Sequence, residues 1–403
     1  MVELLAPAGD LSRLKIAFMY GADACYIGGI QYGLRKGASN FTSDDLKEAI
    51  KYAHELNKKI YVTLNIIPHE NDFDGMVDYI KFLDEIKVDG VIVSDPGVFS
   101  LVKENSNIPI HISTQGSVTN SNTINFWHKM GAKRVVLARE LSLKEISKIR
   151  NNIPEDMELE AFCHGAMCMS YSGRCLMSSY MTGRNPNKGD CAHPCRYKYY
   201  LMEEKRPGEY FPIEETEDGA YVMNSKDLKT ISFVEKLIEA GISSLKIEGR
   251  MKSAFYIATV VRAYKQAIDS YLADPEHYVF DEKLDKEVIA GSHRPFTSGF
   301  YYGEAIMDGQ YDNKAVPIPK ATFKGEILEV KDGRIYFNLK NGLNEGEMVA
   351  IMSPTKDIVI KVEDLMNDEG KLVDRANVPN KTYSCKWDGE AKKGYYLKQA
   401  EEL

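Results

Sequence analysis

The sequence predicts an α/β protein: a (β/α)8 TIM-like barrel with a cysteine-rich insertion after strand seven, plus a small C-terminal all-β barrel. Short aliphatic runs alternate with amphipathic helical stretches over most of the chain. Polar residues follow the ends of those runs, as expected at the active face of a barrel. From about residue 320 the pattern changes to short strands separated by tight turns.

The predicted barrel strands are short runs rich in aliphatic and β-branched residues. They are Glu3–Ala6, Ala24–Ile27, Lys59–Leu64, Gly90–Val93, Ile108–Ile112, Arg134–Ala138, Glu158–Phe162 and Ser244–Ile247. Helical patterns between them include Ser43–Leu56, Asp74–Ile86 and Ser142–Ile149, and the third opens with a capping-box spacing. Strands that alternate with helices form a parallel sheet, and eight of them close into a barrel. An open doubly wound sheet is the alternative, since one miscounted strand would favour it.

Chemically useful side chains follow the carboxyl ends of most predicted strands. These are Asp10, Asn65, Ser94-Asp95, Ser113-Thr114-Gln115, Arg139-Glu140, His164 and Glu248-Gly249-Arg250. Loops are often polar, so one such residue would mean little. The whole series indicates an active face at this end of the barrel.

The predicted barrel domain covers residues 1–317, and residues 318–403 form the small β-barrel domain. Within the first domain, residues 163–222 are an insertion that projects from the active face, and residues 253–317 are a helical extension. A helix is expected to start near Ser225.

The two ends of the helical extension differ in pattern. Ala254–Tyr271 is expected to be a long helix, whereas Tyr278–Tyr302 is expected to be irregular. In the C-terminal domain, Asp332-Gly333 and Asn341-Gly342 are hairpin signals.

Composition and charge narrow the class of protein. The hydrophobic fraction of 44% and the charged fraction of 27% are typical of a soluble globular protein. No apolar run is long enough to cross a bilayer, and Met1–Pro7 has no basic region ahead of an apolar stretch. We therefore expect a cytoplasmic protein with no membrane partner. The net charge of −8 argues against broad affinity for nucleic acid but allows a local basic groove.

Five of the seven cysteines lie in one short segment, between Cys163 and Cys195. In a reducing compartment such a cluster is more often metal-binding than disulfide-bonded. The spacing fits an iron–sulfur cluster better than zinc, because a zinc knuckle allows only two to four residues between ligands, but zinc stays open. Four ligands are needed, and the predicted set is Cys168, Cys175, Cys191 and Cys195. Cys163 is the reserve, since a thiol at a strand end is ordinarily a packing group.

Several motifs, spread over nearly the whole chain, resemble those of the collagenase-like U32 peptidase family. They are Glu3–Gly9, Glu160–Cys168, Ser172–Ser178, Arg206–Tyr210, Asn224–Leu228 and Leu245–Lys252. Within that family, the chain is most similar to the branch of tRNA hydroxylation proteins.

The resemblance implies a specific activity. That branch is implicated in converting the wobble uridine of certain tRNAs to 5-hydroxyuridine, without molecular oxygen and with prephenate required. Other members hydroxylate ribosomal RNA or a ubiquinone precursor and carry a 4Fe-4S cluster on cysteines of this segment. The implied partners are the tRNA anticodon loop, a small dicarboxylate, and proteins that assemble the cluster or transfer electrons.

This activity assigns roles to residues of the predicted active face. The catalytic candidates are Glu160, His164, Glu248 and Arg250. The substrate-binding candidates are Asn65, Gln115, Arg139, Arg184, Lys246, Lys252 and Arg294. Cations suit a dicarboxylate, and Arg suits it best because its guanidinium binds carboxylates bidentately. Each charged residue has a plainer alternative role as an ion-pair partner. The C-terminal β-barrel is expected to position tRNA.

Proteolysis and a purely binding role are the alternatives. The sequence contains no His-Glu-x-x-His motif and no Gly-x-Ser-x-Gly motif. Cys163 and His164 are sequence neighbours, whose side chains generally point apart, so they make a poor nucleophile and base pair. A peptidase of the U32 type and a cluster-bearing scaffold protein both remain open at this point.

Overall fold

A computed structural model describes most of the chain. The described residues are 2–30, 32, 40–167, 177–184, 190–194, 200–201, 211–212, 226–291, 294–303 and 323–400. Three of the four predicted cluster ligands, Cys168, Cys175 and Cys195, lie outside them. The predicted domain boundary between residues 317 and 318 also lies outside them.

The strands and helices follow each other in the predicted alternation. The first twelve strands are β1 (Glu3–Pro7), β2 (Ala24–Ile27), β3 (Lys59–Leu64), β4 (Gly90–Val93), β5 (Ile110–Ile112), β6 (Arg134–Val136), β7 (Glu158–Ala166), β8 (Tyr200–Leu201), β9 (Phe211–Pro212), β10 (Asp227–Lys229), β11 (Ser244–Ile247) and β12 (Phe296–Thr297). The helices are α1 (Leu11–Met19), α2 (Ser43–Glu55), α3 (Met76–Glu85), α4 (Pro96–Asn105), α5 (Ser121–Met130), α6 (Leu143–Arg150), α7 (Met177–Thr182), α8 (Val234–Glu239), α9 (Ala254–Ala273) and α10 (Glu282–Ala290).

Eight parallel strands close into a barrel, which confirms the predicted fold class. Strands β1 to β7 are hydrogen-bonded in sequence order, and β11 pairs with both β1 and β7. The closure is visible at Ser244, which is in register with Glu3 on one side and Glu160 on the other. The predicted capping box of α6 also forms, because Ser142 and Glu145 satisfy each other's backbone N–H groups.

The structure corrects the predicted elements around the insertion. Strand β7 does not end at Phe162 but continues to Ala166, because β10 pairs antiparallel with its last residues. Cys163 and His164 therefore belong to a barrel strand. The helix expected near Ser225 is also wrong: after β10 comes a 3₁₀ turn, and α8 begins only at Val234.

The segment expected to be irregular contains a helix. Helix α10 starts after Asp281, whose side chain accepts a hydrogen bond from the Lys283 N–H and caps the helix. It packs against α9, and Glu287 of α10 forms two 2.6 Å bonds with Arg262 of α9. The long helix expected from Ala254 is confirmed.

The C-terminal domain is an antiparallel half-barrel. Its strands are β13 (Phe323–Lys331), β14 (Arg334–Leu339), β15 (Leu343–Asn344), β16 (Met348–Met352), β17 (Asp357–Lys361), β18 (Arg375–Ala376), β19 (Thr382–Lys386) and β20 (Tyr396–Gln399). The main sheet has the order β17-β16-β20-β13-β14-β19, and β15 pairs with β18.

One of the two predicted hairpins is confirmed. Asp332 and Gly333 both have positive φ and join β13 to β14 in the tight turn that this dipeptide favours. The hairpin at Asn341-Gly342 is wrong, since these residues lead into β15, whose partner β18 lies far along the chain.

The C-terminal domain is fastened to the barrel by buried groups. Arg262 of α9 donates to the Ser353 carbonyl and pairs with Asp357, both at 2.7 Å. The Tyr20 hydroxyl of α1 donates to the Met352 carbonyl at 2.9 Å. Phe255 stacks on Phe323 with ring centroids 4.5 Å apart. No helix among the described residues is both long and apolar enough to span a membrane.

Candidate active site at the mouth of the barrel

The lower part of the barrel interior is an ionic network. Arg134 of β6 pairs with Glu3 of β1 at 2.6 Å, with Glu158 at 2.7 Å and with Glu160 at 3.0 Å. The Ser244 hydroxyl of β11 lies 2.9 Å from Glu3. The three carboxylates compensate the positive charge of the buried guanidinium, which would be costly to bury unpaired.

Glu160 is fully buried within this network. Its carboxylate also accepts a bond from Lys246 at 2.7 Å, and Lys246 is only 5% exposed. Burial alone would raise the pKa of Glu160, but the Lys246 and Arg134 cations outweigh it and hold this pKa below its ordinary value. Glu160 is therefore ionised and its charge is already neutralised.

Phe162 follows Glu160 by two residues along β7, toward the loops at the carboxyl ends of the strands, which we call the mouth. Lys246 of β11 is in register with Phe162, and its Nζ lies 5.5 Å from the centre of that ring. Arg139, from the loop after β6, lies over the same ring at 3.8 Å. Glu160 and Lys246 are thus below the mouth. Their catalytic and substrate-binding roles stay predictions, and their placement favours a structural role.

Glu248 follows β11 and lies at the mouth. It is half-buried, and its Oε2 is 3.2 Å from the Tyr26 hydroxyl, which also donates to the Ile247 carbonyl at 3.0 Å. Gly165 of β7 has a φ of +106° and passes so close that a Cβ there would lie 2.3 Å from the Glu248 carbonyl oxygen. Only glycine fits at that contact.

Arg250 comes two residues later, and its guanidinium packs against Gly28, directly after β2. Its Nη2 donates to Asn40 Oδ1 at 2.8 Å. A Cβ at Gly28 would lie 2.3 Å from the same Nη2, so the guanidinium fills the space that a side chain would occupy. Glu248 and Arg250 both lie in the segment after β11, against Tyr26 and Asn40 respectively, and their catalytic roles stay predictions.

His164 does not point into the mouth. A bulge at Cys163 of β7 brings Phe162 and His164 into register with the consecutive residues Lys246 and Ile247 of β11. This irregularity breaks the alternation of side chains, so His164 turns outward against α9. Its ring is 1% exposed and packs among three aromatic rings: Tyr256, Tyr264 and Phe296.

A tyrosine of α9 fixes the end of β7. The Tyr264 hydroxyl donates to the Cys163 carbonyl at 2.8 Å, accepts from the Thr230 N–H at 2.9 Å and lies 3.4 Å from His164 Nδ1. Burial raises the pKa of Tyr264 well above its ordinary value, so this hydroxyl stays protonated. These contacts favour a positioning role for His164, and its catalytic assignment stays a prediction.

Two predicted arginines meet around the last residues of β7. Arg139 Nη1 donates to the Ala166 carbonyl at 3.1 Å. Asp227 of β10 is in register with Ala166, and its buried carboxylate accepts from the Arg294 N–H at 3.2 Å. Arg294 Nη1 lies 3.6 Å from the same carboxylate. Both guanidinium groups therefore stand where the chain enters the cysteine-rich insertion.

Asn65 and Gln115 also meet, although fifty residues separate them. Asn65 Nδ2 donates to Gln115 Oε1 at 2.7 Å, and the Ser113 hydroxyl donates to the same oxygen at 2.8 Å. Ser94 holds the Asn65 carbonyl at 3.1 Å. The loops after β3, β4 and β5 are therefore tied together by side-chain hydrogen bonds at the mouth.

The remaining predicted substrate-binding residues lie at the periphery. Lys252 is half-buried, with Nζ 4.9 Å from the centre of the Tyr256 ring. Arg184, in the insertion, is half-exposed and pairs with Asp190 at 2.7 Å. Neither is brought to the centre of the mouth by the described part of the chain.

Sequence reasoning missed four residues that shape the site: Tyr26, Asp227, Tyr256 and Tyr264. Asp227 had a signal, since it lies in one of the motifs that carry the resemblance. The tyrosines had none, because a tyrosine in a strand or a helix is ordinarily core.

Cys191 is the one predicted cluster ligand within the described residues. It is half-buried and in no disulfide, and its sulfur accepts a hydrogen bond from the His193 N–H at 3.4 Å. Thiolates of iron–sulfur sites receive such backbone bonds. Within the described residues, no group of three or more His, Cys, Asp and Glu side chains could hold a metal ion.

Cys163 makes a poor ligand. It is fully buried in β7, its thiol donates to the Lys246 carbonyl at 3.4 Å, and burial raises its pKa well above the ordinary value. A metal ligand must be deprotonated, so the choice of Cys163 as reserve fits its surroundings.

Both domains match known family models. Residues 9–310 match the model described as peptidase family U32, and residues 319–397 match the model of the peptidase family U32 C-terminal domain.

Similar proteins carry three different kinds of name. The chain is 39% identical to tRNA hydroxylation protein P1 of Bacillus subtilis (strain 168), over 96% of this chain and 92% of that protein. It is 36% identical to the 23S rRNA 5-hydroxycytidine C2501 synthase of Escherichia coli (strain K12), over 87% of this chain and 52% of that protein. It is 30% identical to a collagenase of Porphyromonas gingivalis (strain ATCC BAA-308 / W83), over 93% and 92%.

Proposed function

The chain belongs to peptidase family U32, and we propose that it hydroxylates RNA, at carbon 5 of the wobble uridine of tRNA. The observation that carries this proposal is the end-to-end similarity to a tRNA hydroxylation protein. A second relative is named as the synthase of 5-hydroxycytidine in 23S ribosomal RNA. Its product therefore carries the same substituent on a pyrimidine.

The mouth of the barrel has groups suited to this reaction. Anticodon bases lie in a loop, so a uracil can be splayed out and stacked on a planar group. Arg139 over Phe162 offers such a plane. Hydroxylation replaces the C5 hydrogen by a hydroxyl, which is a two-electron oxidation. An oxygen-donating co-substrate must supply the oxygen atom and accept the two electrons, and the C5 hydrogen leaves as a proton. Glu248, held by Tyr26, is the carboxylate proposed to take up that proton. Arg250, two residues after Glu248 and bonded to Asn40, is the proposed source of positive charge.

We further propose a 4Fe-4S cluster on Cys168, Cys175, Cys191 and Cys195. The described member of this set, Cys191, has the exposure and the backbone hydrogen bond that a ligand thiolate needs. When bound, the cluster would supply one-electron redox chemistry. Such a cofactor implies partner proteins that assemble it and transfer electrons to or from it.

Prephenate, the metabolite that the resemblance implies, is the proposed co-substrate. It is a dicarboxylate, and arginine guanidinium groups bind carboxylates bidentately. Arg139 contacts Ala166, Arg294 contacts Asp227, which is in register with Ala166, and Lys252 lies over the Tyr256 ring. These three cations are the proposed contacts.

Proteolysis is the second candidate, because the family and one relative carry a peptidase name. Three of the four described cysteines do not favour it, and the fourth, Cys191, is a proposed cluster ligand. Cys25, Cys163 and Cys385 are buried, and burial raises the pKa of each thiol, that of Cys385 to about 12. A nucleophilic cysteine needs the opposite, an accessible thiol with a lowered pKa.

The direct test uses a bacterial strain whose tRNA contains no 5-hydroxyuridine. Expression of this chain should make 5-hydroxyuridine appear in digested tRNA, measured by mass spectrometry of the nucleosides. A Cys191→Ala variant should lower the iron content of anaerobically purified protein and abolish the product. Unchanged nucleosides with gelatin hydrolysis by the purified chain would support the peptidase instead. Unchanged nucleosides without hydrolysis would support the scaffold role.

A further inference from the structure

The side-chain amide of Gln115, a residue of the mouth, has its oxygen and its nitrogen in different surroundings. Its Oε1 accepts from Asn65 Nδ2 at 2.7 Å and from the Ser113 hydroxyl at 2.8 Å. Two donors saturate the two lone pairs of an amide oxygen. Its Nε2 has no hydrogen-bond partner within the described residues, and Gln115 is half-buried. The side chain therefore keeps two N–H donors on the side away from Asn65 and Ser113, which we call outward.

The loop that carries Gln115 is held in place. Ser113 is buried, and its N–H donates to the Val93 carbonyl at 2.7 Å. The Thr114 hydroxyl donates to the Leu137 carbonyl at 3.2 Å, which ties the loop after β5 to the loop after β6. Arg139, stacked on Phe162, comes two residues after Leu137. The outward amide and the stacking plane thus belong to adjacent, connected loops.

We propose that Gln115 selects the base, by donating from Nε2 to the O4 oxygen of a uracil stacked at the mouth. Uracil has an oxygen acceptor at carbon 4, whereas cytosine has an amino donor there. An outward N–H donor is complementary to the O4 acceptor of uracil. With cytosine, the N–H donor of Gln115 would face the amino donor of the base, and no hydrogen bond would form. That the base is a uracil rests on the proposed function. That Gln115 offers a donor to its ligand rests on the hydrogen bonds of Gln115.

A matched substitution reverses the polarity of this contact. Gln115→Glu keeps an oxygen to accept from Asn65 and Ser113, but it presents a second oxygen outward in place of N–H donors. Gln115→Met has a similar length and presents neither donor nor acceptor. Comparable thermal unfolding midpoints for the three proteins would show that all of them fold.

The experiment measures the affinity of the full chain for an anticodon stem-loop RNA with U34, C34 or 4-thiouridine at position 34. The wild type should bind U34 roughly fivefold or more tightly than C34, the ratio expected for one hydrogen bond of ~1 kcal/mol. Gln115→Glu should reverse the order, and Gln115→Met should bind both alike. 4-Thiouridine, a weaker acceptor, should weaken binding to the wild type but not to Gln115→Met.

Three outcomes would overturn the proposal. The first is equal wild-type affinity for U34 and C34. The second is a wild-type preference for C34, which would mean that the side-chain amides of Gln115 and Asn65 both have the opposite orientation. The third is an unchanged preference for U34 in Gln115→Glu. Binding does not require turnover, so the two proposals fail separately. A protein that discriminates U34 through Gln115 but makes no 5-hydroxyuridine would defeat the proposed function alone.

Discussion

Glu160 and His164 show how depth and direction decide the role of a residue on a strand. Both lie on β7, and both are polar groups near a predicted active face. Alternation predicts which residues face inward, but it does not give their height in the barrel. Glu160 lies below Phe162, and its charge is neutralised. The bulge at Cys163 of β7 turns the His164 ring toward α9. Neither feature could be predicted, because a bulge depends on pairing between distant strands.

The Glu160–Lys246 pair should behave as a structural element. Lys246→Met removes one of the two cations that neutralise a buried carboxylate. We expect a loss of ~3 kcal/mol in the free energy of unfolding, measured by guanidinium denaturation. The double variant Lys246→Met, Glu160→Gln should recover part of this loss, since no unpaired charge remains. A Lys246→Met protein of wild-type stability that lacks activity would instead support the substrate-binding role.

At the scale of elements, the eight strands of the barrel could be predicted from the sequence, whereas β10 and α10 were not. Aliphatic runs mark buried parallel strands directly in the sequence. Strand β10 is only three residues long, and its pairing with β7 depends on tertiary structure. Helix α10 has a local signal that the sequence interpretation missed, the N-cap at Asp281.

Arg262 of α9 should be the main electrostatic link between barrel and C-terminal domain. It is 2% exposed and pairs with Glu287 and Asp357. Arg262→Met leaves both carboxylates without this cation, and we expect a loss of ~3 kcal/mol or more in the free energy of unfolding. Lys265→Met, one turn further along, is the matched control, because its partly exposed pairs are worth ~1 kcal/mol or less. Equal losses in both variants would contradict the special role of Arg262.

The pH dependence of the same link follows from Asp357. Burial would raise its pKa, but Arg262 and Lys398 outweigh burial and lower it. A carboxyl group with a lowered folded-state pKa contributes its full stability above its unfolded pKa of about 3.9 and loses it as the pH falls further. The stability difference between wild type and Asp357→Asn should therefore be constant from about pH 7 to pH 5 and shrink below about pH 4. A difference that shrinks as the pH rises would refute this assignment.

At the scale of the whole molecule, the (β/α)8 barrel and a small C-terminal β-barrel were predicted from patterns. The structure shows the second as a half-barrel, and the way the two domains join was not predicted. The hydrogen bond from Tyr20 to Met352 spans 332 residues, and the stack of Phe255 on Phe323 crosses a segment outside the described residues. No local signal announces contacts of this kind. The mouth was predicted as a set of residues, but its internal geometry, such as the pairing of Asn65 with Gln115, required the folded structure.

The central claim is that the mouth of this barrel carries out RNA hydroxylation, and Glu248 tests it most directly. The measurement is the fraction of 5-hydroxyuridine at tRNA position 34 in cells that lack it and express either wild type or Glu248→Gln. Glutamine keeps the shape and the contact with Tyr26 but cannot take up a proton. We predict a loss of roughly 100-fold or more, with Lys371→Met, an exposed residue of the C-terminal domain, unchanged. Wild-type levels of 5-hydroxyuridine in folded Glu248→Gln would contradict the claim.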